Sequence, residues 1–157
     1  MFMAAGEEKR KTIEQIEPTR QIINAAKARK DLDSLFPLMR KSDPVGDIIY
    51  AFLQKKKMSV EVMSQLAGFA RDTGYKIING QRRAEKDVLL RLAFVLEMTP
   101  EETQNLLKCG RRATLSSAEK RDVIIIYGLS NHYTLGEMDD LLLKQGMKPL
   151  VPADKRK

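Results

Sequence analysis

One cysteine, one histidine and no tryptophan leave little room for redox or metal chemistry in this 157-residue chain. Cys109 has no second thiol with which to form an intramolecular disulfide, and Cys109 with His132 falls well short of a zinc ligand set. A reducing compartment is expected. Long apolar runs are also missing. VIIIYGL at 123–129 is the longest, against about 20 apolar residues for a membrane-spanning helix, and the N-terminal MFMAA is too short for the apolar part of a signal peptide. The expected location is the cytoplasm, with no membrane partner. No Ser–His–Asp set, glycine-rich phosphate loop or suggestively framed pair of acids can be assembled, so neither enzymatic activity nor a cofactor is expected.

What is present is helix-forming. Strand-favouring residues are sparse while Leu, Ala, Glu, Lys and Met are plentiful, which favours an all-α protein. At 43% hydrophobic the chain can bury one core but hardly a second. The net charge is +7, and residues 45–112 hold twelve basic against eight acidic side chains, an excess of four. Such an excess suits a polyanion, although an ordinary basic protein would carry it too.

Helix boundaries are marked by local chemistry. Residues 1–43 read as a helical or partly disordered arm, broken by Pro18. Asp43-Pro44 supplies an N-cap acid and a first-turn proline for a helix over 44–56, with Ile48, Ile49, Phe52 and Leu53 as its apolar stripe. Ser59 can cap a helix over 60–67. Full capping boxes are expected at Thr99 with Glu102, Thr134 with Glu137 and Ser116 with Glu119. The resulting map adds helices over 71–79, 85–97, 100–109, 117–130 and 135–145. Domain limits follow at 44–110 for a helix-turn-helix core, 111–150 for a C-terminal helical pair and 151–157 for a basic tail.

Only Gly68-Phe69-Ala70 separates helix 60–67 from helix 71–79, a spacing suited to a helix-turn-helix in which Gly68 takes a positive φ. Leu66, Ala67, Ile77 and Ile78 are the expected apolar contacts. The densely apolar VLLRLAFVL at 88–96 must lie centrally, leaving Arg71, Asp72, Tyr75 and Lys76 to face solvent. Arg71 and Lys76 can donate to guanine O6 and N7 in a major groove, and Arg82 and Arg83 can serve phosphates. Tyr75 suits a thymine methyl, a phosphate or a protein interface equally. Gly74, in mid-helix, costs about 1 kcal/mol relative to alanine and is expected to permit close approach of a neighbouring helix; exposure for a partner's backbone is the alternative.

Residues 47–109 resemble the lambda-repressor-like (Xre-type) helix-turn-helix family of bacterial and phage regulators. The marks are Ala67-Gly68 at the turn, Gly80 closing the second helix of the motif, and Leu89, Leu92, Ala93 and Leu96 along the next long helix. Residues 111–150 resemble, less specifically, a C-terminal helical pair found after the motif in some bacterial members. The resemblance implies a five-helix DNA-binding domain with an N-terminal helical arm and a C-terminal two-helix extension. It implies double-stranded DNA as partner, base contacts at Arg71, Asp72, Tyr75 and Lys76, and backbone contacts at Ala70, Gln81, Arg82 and Arg83. Two positions depart from the family pattern. Ala70 stands where a side chain commonly grips a phosphate, and Gly74 where an aliphatic usually fills the core.

Sequence-specific transcriptional regulation is the function this supports, with a phage-type repressor or an antitoxin sharing the mechanism. A protein-interaction adaptor using the Asp72-Gly74-Tyr75 face is the alternative. Val123, Ile124, Ile126 and Tyr127, with Leu135, Met138, Leu141 and Leu142, form two apolar stripes that must pack on the core or form a homodimer interface.

Overall fold

Residues 19–28, 31–39 and 44–152 are described by the computed structural model, and the chain divides into two units, 1–41 and 42–157. In the first, residues 19–27 are helical and Leu32–Leu38 form a 3-10 helix that contains Pro37 and buries none of its residues. The break expected at Pro18 and the cap expected at Asp43 fall outside the described residues.

Among its described residues the second unit is a series of seven helices. Pro44 opens α1 (Pro44–Lys56), at a position where its missing N–H forfeits no hydrogen bond. Ser59 caps α2 (Val60–Ala67), its Oγ accepting from the Val62 N–H at 3.1 Å. Then come α3 (Arg71–Ile78), α4 (Lys86–Val95), α5 (Pro100–Cys109), α6 (Lys120–Ser130) and α7 (Leu135–Lys144). The boxes at Thr99–Glu102 and Thr134–Glu137 both form, each threonine and glutamate satisfying the other's backbone N–H. No strand occurs among the described residues; the protein is all-helical.

The Ser116 box does not form. Helix α6 starts at Lys120 rather than 117. Ser116 Oγ accepts from the Ala118 N–H at 3.1 Å, and the Ser116 N–H donates to the buried Asp122 carboxylate at 2.9 Å. Asp122 also takes Lys86 Nζ at 3.1 Å. A buried carboxylate needs its donors more than a solvated helix end needs a cap.

Helix α4 lies at the centre, packed on α2, α5 and α7, with Leu89, Leu90, Leu92, Ala93 and Leu96 fully buried. The C-terminal hairpin closes on this core within the chain, through α7 on α4 and α6 on α5. Its apolar face differs from the expected one. Asp122, Ile125, Gly128 and Leu129 point inward, while Val123 and Tyr127 are exposed. Gly128 fixes this rotation because any side chain there would collide with Met138 Sδ. Leu66, expected in the core, is also exposed, as it forms the edge of a cavity of about 290 Å³ whose walls include Phe94, Met98, Leu129 and Leu135.

Beyond α7 the chain runs back as a strap. Asp139, 2% exposed, accepts from the Leu150 and Val151 N–H groups at 2.6 and 3.1 Å. Arg121 donates to the Lys148 and Pro149 carbonyls while pairing bidentately with Asp87 at 2.9 and 3.0 Å. Leu150 and Val151 are buried, and Val151 Cγ1 would touch a Cβ built on Gly68 at 3.5 Å. The strap therefore buttresses the turn between α2 and α3.

Candidate nucleic-acid interface

The turn itself is built by backbone geometry. Gly68 adopts φ +78°, a conformation that side chains resist, and its N–H and that of Phe69 return to the Gln65 and Ser64 carbonyls. Behind it Arg91, 6% exposed, donates to the Ala67 carbonyl at 3.3 Å and stacks its guanidinium 4.7 Å from the Phe69 ring centroid. Burial pushes the Arg91 pKa below its ordinary value, against the opposing pull of Asp87 and Asp139. The turn is thus anchored to α4.

Helix α3 emerges from this turn with two distinct faces. Gly74 and Ile77 are buried. A side chain at Gly74 would strike Ser64 Oγ and lie 3.2 Å from Val60 Cγ1, so the glycine is what lets α3 rest on α2. On its other flank α3 meets α1, where a side chain on Gly46 would strike the Ile78 carbonyl oxygen. Gly80, at φ +75°, ends the helix, and the Lys76 carbonyl accepts the Gln81 and Arg82 N–H groups at 2.9 and 3.1 Å.

Facing solvent are Ala70, Arg71, Asp72, Tyr75, Lys76, Gln81, Arg82 and Arg83, all eight residues expected at an interface. They are not equivalent. Ala70 occupies the N-cap without a side-chain hydrogen bond. Tyr75 Oη donates to Glu61 Oε1 at 2.6 Å, and Arg71 Nη2 lies 3.3 Å from the same oxygen, its guanidinium 5.9 Å from the Tyr75 ring centroid. The Tyr75 hydroxyl lowers the Glu61 pKa, and Glu61 in turn raises that of Tyr75. At neutral pH the carboxylate is ionised and the phenol protonated.

Arg83 is spent differently. Its Nη2 donates to the Arg111 carbonyl at 2.6 Å and its Nε to that of Gly110 at 3.4 Å, while Arg112 Nε donates back to the Ala84 carbonyl at 2.9 Å. The two arginines clamp the segment after α3 to the end of α5. Among the described residues, the side chains of Asp72, Lys76, Gln81 and Arg82 make no hydrogen bond or ion pair.

Two participants carry no signal in the sequence. Glu61 meets Arg71 and Tyr75 only because the turn folds α2 against α3, and Gly46 meets Ile78 only because α1 crosses α3. Ser59 at the cap of α2 locates Glu61 in the first turn; nothing local indicates its partners.

Residues 49–103 match the family model of the Cro/C1-type helix-turn-helix DNA-binding domain. No curated protein and no solved structure matches the chain. The matched segment runs from within α1 into α5 and contains the turn, α3 and the exposed face just described.

Proposed function

From residues 49–103 as a Cro/C1-type DNA-binding domain, we propose that the protein is a sequence-specific transcriptional regulator that reads the major groove with α3. The observation that carries this is the division of α3 into a face locked by Gly74 and Ile77 and a face offering Arg71, Asp72, Tyr75 and Lys76. Arg71 and Lys76 have the donors that guanine O6 and N7 accept, Asp72 can accept from a cytosine amine, and Arg82 suits a phosphate. Ala70 brings no side-chain grip to its phosphate position, so the flanking contacts fall on backbone N–H groups, Gln81 and Arg82. The protein's proposed place of action is the cytoplasm, as for bacterial and phage regulators.

The adaptor reading loses one of its supports, since Gly74 is occupied by α2 and open to no partner. A homodimer through the C-terminal helices is the partner reading to set beside DNA. Val123 and Tyr127, four residues apart on α6, and Leu143 on α7 are exposed apolar groups available to it.

A genomic-fragment binding selection with the full chain tests the proposal. Enrichment of one sequence is expected, and Lys76→Ala should then cost about 1–3 kcal/mol on that site while leaving affinity for random duplex nearly unchanged. Equal losses on both would restrict Lys76 to backbone contact; recovery of no preferred sequence would favour the adaptor.

A further inference from the structure

We propose that Glu61 is a specificity-determining residue, holding Arg71 and Tyr75 on one carboxylate until a matching base edge takes Arg71 away. This rests on α3 being the DNA-contacting helix. Glu61 itself lies in the first turn of α2, outside the set of residues on α3 and beyond it that face a groove.

The argument begins with geometry. One oxygen, Glu61 Oε1, accepts from the Tyr75 hydroxyl at 2.6 Å and lies 3.3 Å from Arg71 Nη2. The Arg71 side chain is 70% exposed and that of Glu61 43%, so the pair is reachable and exchangeable. A DNA contact that uses Arg71 Nη2 must therefore exchange this carboxylate for its new acceptor. A phosphate oxygen offers an acceptor of the same charge and similar geometry, so exchanging one for the other brings little gain. Guanine O6 and N7 offer a bidentate contact in a fixed plane, which phosphates along a random duplex do not reproduce. Glu61 thus cancels the contact that Arg71 would make with any duplex and leaves the contact that depends on sequence. It acts through Arg71, as a positioning residue.

The test uses the full chain, the duplex recovered by the selection and a shuffled duplex of the same composition. Glu61→Gln keeps the side chain's shape and an acceptor for Tyr75 while removing the charge. Its shuffled-duplex Kd should tighten about two- to fivefold, the scale of an exposed ion pair. The slope of log K against log salt on that duplex should steepen by about 0.9, one added phosphate contact. Affinity for the recovered duplex should change less, so the ratio of the two contracts. A ratio that holds or widens overturns the proposal. The same measurement in an Arg71→Ala background separates positioning from general repulsion: the effect of Glu61→Gln should vanish there, and its persistence would also overturn the assignment. If Glu61→Gln shifts the melting temperature, Arg71→Ala in the otherwise unchanged chain supplies the decisive comparison, since it should weaken the recovered duplex and spare the shuffled one; equal losses refute the idea. Failure of the unaltered chain to bind either duplex would remove the reading of α3 itself, an outcome distinct from all of these.

Discussion

Where α1 crosses α3, Gly46 faces the Ile78 carbonyl; where α2 crosses it, Gly74 faces the Ser64 hydroxyl. Both glycines bring a neighbouring backbone closer than any side chain would allow, and both flanks of the helix are thereby fixed. The obstacles differ in kind. A carbonyl inside a helix end cannot turn aside, whereas a hydroxyl can rotate about one bond. Ser64 Oγ is moreover buried without a hydrogen-bond partner among the described residues, so no hydrogen bond fixes its rotation. The α1 side of α3 is a rigid stop and the α2 side a yielding one, and the outward face between them is free to carry chemistry without carrying stability.

Gly46→Ala should therefore do the most damage, lowering stability by about 3 kcal/mol because α1 and α3 must separate. Thermal or urea unfolding measures it; a loss below that of Gly74→Ala would erase the distinction between the flanks. Next comes Gly74→Leu, which must displace both Ser64 and Val60 and should cost about 2 kcal/mol. A Gly74→Leu variant of unchanged melting temperature and full DNA affinity would refute the packing role of this glycine.

Smaller and more diagnostic is Gly74→Ala, for which helix propensity gains about 1 kcal/mol and the collision with Ser64 takes away somewhat more. In a Ser64→Ala background the collision partner is gone, and the same substitution should become neutral or stabilising. A double-mutant cycle reads this as a coupling of about 1 kcal/mol; additivity would show that the hydroxyl is not the obstacle. The outward face should give the smallest effects on folding. Arg82→Ala should leave the melting temperature unchanged and reduce the salt slope of DNA binding by about 0.9. Arg83→Ala should instead lower stability by about 1 kcal/mol, since its guanidinium serves two backbone carbonyls. Identical behaviour of the two arginines would contradict their assignment to different tasks.

What the sequence disclosed was punctuation. Ser59, Thr99 and Thr134 announce helix starts, and Gly68 and Gly80 announce a turn and a helix end, because each of these acts on backbone groups within three or four residues of itself. The central place of α4 was legible for a related reason, as a segment apolar on every side has nowhere else to go. The outward placement of Arg71, Asp72, Tyr75 and Lys76 followed from the central position required of residues 88–96. Failures came where a distant partner outweighed a local rule. Ser116 gives its N–H to Asp122, which also serves Lys86, a residue of α4. Gly128 turns α6 so that Ile125 enters the core and Tyr127 leaves it, and Leu66 borders a cavity that only the C-terminal hairpin creates. Glu61, on the surface, and Gly46, in the core, act on partners that a linear reading does not bring near.

The strap at residues 148–151 has a consequence for the order in which the molecule is made. Val151 rests beside Gly68, two positions 83 residues apart in the chain. Contacts among α1 to α5 close shorter loops and can form once those helices have left the ribosome, while a closure of this length waits for nearly the whole unit to be synthesised. The segment that would meet DNA is thus among the first to assemble and the last to be locked. Until then its turn has its own backbone hydrogen bonds and the Arg91–Phe69 anchor, and it gains the support of Val151 only when Asp139 and Arg121 have captured the returning chain.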